Sequence, residues 1–465
     1  MFFLLFLYAQ SLIVNAGYSM KYGFLIGGVL IVIGLILQLI IGPLVWAVFA
    51  WPVNIVVLFV MLAVIIAAHL LRHKVHVFRL LSTYDTAIPA LIYVTILTIV
   101  MGLIRQSDSG SWFDNMLTFW PFVLIYAYMT MILGLVVLRK TTSFSFLMFH
   151  LGLFMVLTNS TLGNADMKRL KMLVAVNEPE WCGLDREGRV TELPMAIELK
   201  RFIMEEYANH SPKRFASEVQ IITQSGEKHD TIIEVNKPVS VDGWKIYQFG
   251  YDTRMGAKSR ISIFELVRDS WQPFAYIGMG MMLYGALCIL ISGRRKRWLL
   301  LAAVAVAIVG LLKPEIYSST LIPVLQSHWF APHVTAYMFA YALMAVALVI
   351  ALFVLIQGFK GTRVSVFNVD SVVFVGLAFL TIGMLLGAFW AKEAWGHYWT
   401  WDPKETWAAI TWFSYLIYVH YRRRGPLAVR RAMWLLVVNF LLLQMCWWGI
   451  NYLPSAAGTS VHTYN

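Results

Sequence analysis

The chain has 465 residues, 59% of them hydrophobic and only 13% charged, with a mean hydropathy of +0.69 and a formal net charge of +12 at pH 7. That composition excludes an ordinary soluble domain and predicts a polytopic α-helical membrane protein. It also removes the nucleic-acid reading of the positive charge, because the basic residues fall in short loops between apolar runs, as the positive-inside rule requires.

Residues 1–16 are apolar but lack the basic start and small-residue cleavage site of a signal peptide, so they read as a further span or a poorly placed start. Apolar runs then begin near residues 23, 53, 88, 118, 145, 275, 298, 334, 370, 405 and 431. At roughly 20 residues per crossing they predict about eleven spans, the one at 298–312 being short. When the spans alternate, one side collects Arg72, Lys74 and Arg79; Arg139 and Lys140; Arg294 to Arg297; Lys360 and Arg363; and Arg422 to Arg424, Arg430 and Arg431. That side is expected to be the cytoplasm, or the stroma of a plastid.

Three blocks follow. Residues 1–163 form an N-terminal membrane block. Residues 164–272 are rich in charge, and the alternating stretches 217–222, 231–235 and 244–249 read as strands beside turns at Ser225-Gly226 and Asp242-Gly243. An external β-rich domain is therefore expected between spans. Residues 273–465 form a second membrane block. Cys182, Cys288 and Cys446 make no C-x-x-C pair; the last two read as packing residues inside spans.

Between Trp390 and Trp412 the chain places six of its eighteen tryptophans, in a run that reads W-G-x-x-W-x-W-D-x-x-E. Interfacial belts supply one or two aromatics per helix end, so this crowding points to a platform for a large planar ligand. Asp402, Pro403 and Glu405 fit N-cap, N1 and N3 of a helix, which is a structural reason for both acids. His333, at the entrance to a span, and His462, in the tail, flank the run on the same expected face. Two neutral imidazoles could ligate a haem iron from opposite sides. His150 and His420 both lie in the cytoplasmic halves of their spans, where ionisable residues are costly and usually functional; snorkelling beside Arg422 is the plain alternative for His420. His69 reads as interfacial, His328 as a weaker candidate, and His73, His76, His210, His229 and His397 as surface or loop residues.

With these residues in hand, the chain resembles the fused CcsBA (ResB–ResC) family of system II cytochrome c synthases. The CcsA-like part, about 275–465, carries W-G-x-x-W-x-W-D-P-K-E-T-W, S-x-W-x-x-x-H-V ending at His333-Val334, Y-x-H at His420 and H-x-Y at His462. The ResB-like part, about 145–275, carries Phe149-His150-Leu151-Gly152, Leu162-Gly163-Asn164-Ala165-Asp166, Val235-Asn236-Lys237-Pro238, Tyr247 to Asp252, and Arg268-Asp269 before Trp271. Residues 1–110 match poorly.

The resemblance implies a holocytochrome c synthase of the haem lyase type. Haem b is then substrate and transient ligand, and the partner is a secreted apocytochrome c bearing C-x-x-C-H, whose thiols add to the haem vinyl groups. His150 and His420 correspond to the membrane histidines that hold haem in passage. His333 and His462 correspond to the external axial ligands, and Trp395, Trp399, Trp401 and Asp402 to the signature that cradles the porphyrin, which Trp407 closes. The resemblance admits a thiol-reducing membrane partner and gives no role to nucleic acid. It places the chain in a bacterial cytoplasmic membrane before a thylakoid one, with the β domain and C-terminus outside. A haem exporter or chaperone without ligase activity and a diheme b quinol oxidoreductase subunit are the other readings.

Overall fold

The computed structural model describes residues 18–107, 112–139, 143–292, 294–318, 320–357, 366–424 and 429–456. The stretch 1–16, Lys140, Lys360, Arg363 and His462 lie outside the described residues. The long helices are α1 (Tyr18–Ile41), α2 (Val53–Leu71), α3 (Tyr84–Leu103), α4 (Trp120–Arg139), α5 (Phe144–Thr158), α6 (Gln272–Ile291), α7 (Arg294–Leu312), α8 (Phe330–Gln357), α9 (Val366–Trp395), α10 (Pro403–Arg423) and α11 (Val429–Trp447).

Among the described residues, nine of these are long and apolar enough to cross a membrane. The remaining two, α7 and α10, occupy the runs expected from 298 and 405. Four basic residues open α7. Helix α10 differs for another reason: nearly every residue from Glu405 to Tyr418 is buried, so it is surrounded by protein and has no need of a uniformly apolar surface. Its polar side chains are satisfied within the bundle. Thr411 Oγ1 donates to the Trp407 carbonyl (2.9 Å), Ser414 Oγ to the Thr411 carbonyl (2.7 Å), and the Trp412 indole to Thr381 Oγ1 (3.0 Å).

Eight antiparallel strands lie between α5 and α6: β1 (Lys168–Ala175), β2 (Pro179–Leu184), β3 (Val190–Glu206), β4 (Pro212–Thr223), β5 (Lys228–Glu234), β6 (Val239–Val241), β7 (Trp244–Tyr251) and β8 (Ile261–Arg268). Their order in the sheet is β5-β4-β3-β2-β1-β8-β7-β6. The three stretches read as strands from sequence fall in β4, β5 and β7. Asp242 and Gly243 both have positive φ (48° and 78°), the type I′ geometry that closes the β6–β7 hairpin in two residues. Inward residues such as Met172, Ile197, Ile221, Ile246 and Phe264 make one core, and Ser217 of β4 bonds Gln248 of β7 and Ser262 of β8 across it. The sheet is thus curled on itself. Because β1 pairs with β8, with Lys168 opposite Arg268, the chain enters and leaves the sheet at one point on the bundle.

Contacts sort the helix ends into two groups. At one end Arg139 Nη1 donates to Ser82 Oγ (2.9 Å), Arg424 pairs with Asp85 (2.5 Å), and Arg422 pairs with Asp370 (2.8 Å). At the other, Asp166 accepts from the Trp51 amide (2.6 Å), the Asn54 amide side chain (2.6 Å) and the Trp271 indole (2.8 Å). That carboxylate gathers the start of α2, the end of α5 and the start of α6 beneath the sheet.

Two opposed ends predict opposed labelling. With Cys182, Cys288 and Cys446 replaced, His73→Cys and Asn209→Cys should react with a membrane-impermeant maleimide from opposite sides of sealed vesicles. Labelling of both from one side would refute the two-ended arrangement.

Candidate functional site

Helix α9 is stopped by Gly396, whose φ of +78° an L side chain rarely adopts. The position is also crowded: a Cβ there would meet Val267 Cγ2 at 2.7 Å and the Tyr247 ring at 3.0 Å. Strands β7 and β8 therefore press directly on the loop that holds the tryptophans. One turn earlier, Lys392 Nζ pairs with Asp269 Oδ2 (2.7 Å) and donates to the Gly396 carbonyl (3.1 Å), with its ammonium 4.6 Å from the centre of the Tyr398 ring. The two side chains of that pair are 3% and 7% exposed. Burial pushes the phenols of Tyr247 and Tyr398 well above their usual pKa, with the Asp269 carboxylate adding to both shifts, so they stay neutral.

The loop ends in the expected capping box. Asp402 Oδ1 accepts from the Lys404 amide (2.8 Å), and Glu405 Oε2 accepts from the amides of Asp402 (3.2 Å) and Thr400 (2.7 Å). Both acids are buried. Trp401 sits at a φ of +59°, a left-handed conformation that costs an aromatic residue roughly 1–2 kcal/mol. Its carbonyl accepts from Thr406 Oγ1 (2.9 Å), and its ring packs edge-on against Trp399 (5.9 Å) and against Phe122 of α4 (6.1 Å).

A second ring assembly surrounds His333. The helix begins at Phe330, so His333 is in the first turn of α8, at the entrance to the span, and half-buried. Trp390 lies 5.7 Å from its ring, Trp395 lies 6.0 Å from Trp390, and His397 stacks on Trp395 at 6.2 Å and 11°. His397, expected to be a surface or loop residue, lies in the loop but is buried. Trp407 is fully enclosed, its indole donating to the Gly102 carbonyl (3.3 Å), so it fills the interior between α10 and α3. His328 is mostly exposed, 3.7 Å from Glu393.

Three of the four histidines singled out from sequence are described, and they share one device. Nδ1 donates to a backbone carbonyl: His150 to Phe146 (2.9 Å), His420 to Leu416 (2.8 Å), His333 to Gly383 (2.9 Å). A carbonyl only accepts, so each ring carries its proton on Nδ1 and its basic lone pair on Nε2. His150 on α5 stacks on Phe146 at 3.8 Å, and His420 on α10 lies edge-on to Tyr84 at 6.0 Å. Room for His333 is cut by glycine. A Cβ at Gly387 would stand 2.8 Å from its Cε1, and one at Gly383 would stand 2.9 Å from the Tyr337 ring.

Sequence reading did not single out Lys392. The signal was present, since a lysine inside an otherwise apolar span is paired and functional by default. Its partner, 123 positions away, carried none.

Comparison with known proteins divides the chain similarly. The family described as "Cytochrome C assembly protein" matches residues 272–456, and the "ResB-like family" matches residues 141–262. The chain is 38% identical over 170 residues to the cytochrome c biogenesis protein CcsA of Chlamydomonas reinhardtii, covering 34% of this chain and 47% of that relative. It is 35% identical over 193 residues to CcsA of Atropa belladonna (33% and 61%) and 47% identical over 93 residues to CcsA of Daucus carota (20% and 28%). The chain therefore spans between 28% and 61% of the length of these relatives.

Removing one member of a buried ion pair strands the other charge. Lys392→Met and Asp269→Leu should each destabilise the detergent-solubilised protein by about 3–5 kcal/mol, and the double variant by less than either. Tryptophan-monitored melting checks this; singles that melt like wild type would show that the pair does not clamp the loop.

Proposed function

One polypeptide that carries a ResB-like region and a cytochrome c assembly region fits a fused ResB–CcsA protein, and we propose that this chain is a cytochrome c synthase. On this reading it receives haem b and holds it at the tryptophan loop on the sheet side of the membrane. There it promotes thioether attachment to the C-x-x-C-H of an apocytochrome c. Each cysteine S–H adds across one vinyl C=C, so a C–S bond forms, the hydrogen goes to the other vinyl carbon, and no net electron is consumed. His333 and His462 are the proposed axial ligands; Trp395, Trp399, Trp401 and Asp402 cradle the ring or hold the cradle. Trp407 backs it from the interior. His150 and His420 are proposed to hold haem nearer the basic end. The membrane is proposed to be a bacterial cytoplasmic membrane, with the sheet outside by charge asymmetry.

The observation that carries this reading is the His333 to Gly383 bond, which fixes the tautomer that presents Nε2 to a metal beside an indole wall. The loop chemistry also fits a planar anionic ligand. Trp399 Nε1 is a buried donor with no hydrogen-bond partner among the described residues. The chain's own contribution is positioning: it orients the imidazole, fixes the ring planes and excludes water.

Co-expression with a C-x-x-C-H apocytochrome, in a host lacking its own synthase, tests the reading. Haem covalently attached to the substrate supports it. Haem found only on this chain would instead make the protein a carrier. His333→Ala should abolish attachment and lose the six-coordinate low-spin spectrum of copurified haem, with partial rescue by imidazole. Gly387→Val should mimic it without replacing a ligand, by crowding the His333 ring, lowering attachment roughly ten- to a hundredfold; wild-type spectra in Gly387→Val would contradict the role given to His333.

A further inference from the structure

A cavity of ≈ 760 Å³ opens beside the foot of the sheet, away from the tryptophan loop. Its lower wall is apolar: Ile55, Leu58, Phe59 and Leu62 on α2, and Phe154 and Met155 on α5. From Ile55 to Leu62 this wall runs about 10 Å along the helix, enough for several methylenes of an extended chain. Phe59, Trp51 and Phe274 at its margins are exposed, so the slot faces the lipid phase and not the protein interior.

The upper rim is different. Lys168 and Arg268 line it, and they are direct cross-strand partners at the start of β1 and the end of β8. Like charges placed directly opposite each other oppose strand pairing. Neither has an ion-pair partner among the described residues, although Arg169 and Lys392 close by each have one. The one carboxylate on the rim, Asp166, is already engaged by Trp51, Asn54 and Trp271. Two cations against one occupied acid, above an apolar slot open to lipid, is the complement of an anionic head on an acyl chain.

We propose that this cavity is a binding site for one anionic phospholipid of the leaflet facing the sheet. The phosphate sits between Lys168 and Arg268, and an acyl chain lies in the slot between α2 and α5. The bound anion relieves the repulsion across the β1–β8 pair, so the lipid helps to seat the sheet on the bundle. The site stands apart from the residues assigned to haem, and the inference does not rest on that assignment.

Native mass spectrometry of the full-length protein, with added phosphatidylglycerol or phosphatidylcholine, tests it. Wild type should retain one phosphatidylglycerol at least tenfold better than phosphatidylcholine, a preference that Lys168→Glu erases. Because Lys168→Glu turns a like-charge pair into an opposite one, it should melt no lower than wild type in phosphatidylcholine micelles, which separates lost lipid from lost folding. Leu58→Trp should weaken retention of both lipids. Equal retention of the two lipids by wild type, unchanged phosphatidylglycerol binding in Lys168→Glu, or a lower melting point for that variant would each overturn the proposal. Haem, the other anionic amphiphile in question, is read out separately. A fall in copurified haem in Lys168→Glu with phosphatidylglycerol retention intact would assign the cavity to haem and refute the lipid.

Discussion

The buried pair between Lys392 and Asp269 is the constraint on which the rest of the arrangement hangs. It joins the last turn of α9 to the residue that follows β8, tying the second membrane block to the base of the sheet. Such a pair is dear to bury, and its attraction offsets the desolvation only if the geometry is good and further hydrogen bonds complete it. Both conditions are met. The ammonium also donates to the Gly396 carbonyl and lies over the Tyr398 ring, and Asp269 also accepts from the Trp271 amide (3.2 Å). A pair of apolar residues would fill the same space but would not fix the angle at which the loop leaves α9. Specificity of orientation, more than stability, is the reason to place charge there.

From that anchor the loop is determined almost residue by residue. Gly396 turns the chain where only glycine fits under Val267 and Tyr247. Glu405 reaches back to two amides, and Trp401 is held in the left-handed region by Thr406 below and by Trp399 and Phe122 on either side. Strain of this kind persists only where surroundings over-determine it. The aromatic density of the run is therefore not one flat platform. Trp390 and Trp395 turn toward His333 and His397, while Trp401 turns toward Phe122 of α4 and Trp399 packs edge-on against Trp401.

Much of this was legible in the sequence, for identifiable reasons. Spans are written in long apolar runs, strands in two-residue alternation, and the start of α10 in Asp402-Pro403-Lys404-Glu405, all of them local signals. What escaped was non-local. Nothing near Trp407 says that its indole meets Gly102, 305 positions earlier, or that it is enclosed when Trp399, eight residues before it, is not. His397 looked like a loop residue because it is one; its burial, stacked on Trp395, is a matter of tertiary packing that no local signal carries. The polar face of α10 weakened its signal as a span because the sequence does not reveal that its neighbours are protein.

The histidines show how the same local chemistry gives different mechanical outcomes. His150 and His420 donate to carbonyls four residues back on their own helices, so this hydrogen bond stays within one helix. His333 donates instead to Gly383 on α9, and Gly387, one turn further along, makes the space its ring occupies. Its aim is therefore a property of how α8 packs on α9. Helix α9 is the one whose far end is locked to the sheet through Lys392. The sheet thus touches α9 at Lys392 and the tryptophan loop at Gly396, and α9 in turn holds the His333 ring at Gly383. The sheet, the loop and His333 are joined by one run of contacts through α9, whereas the hydrogen bonds of His150 and His420 stay within their own helices.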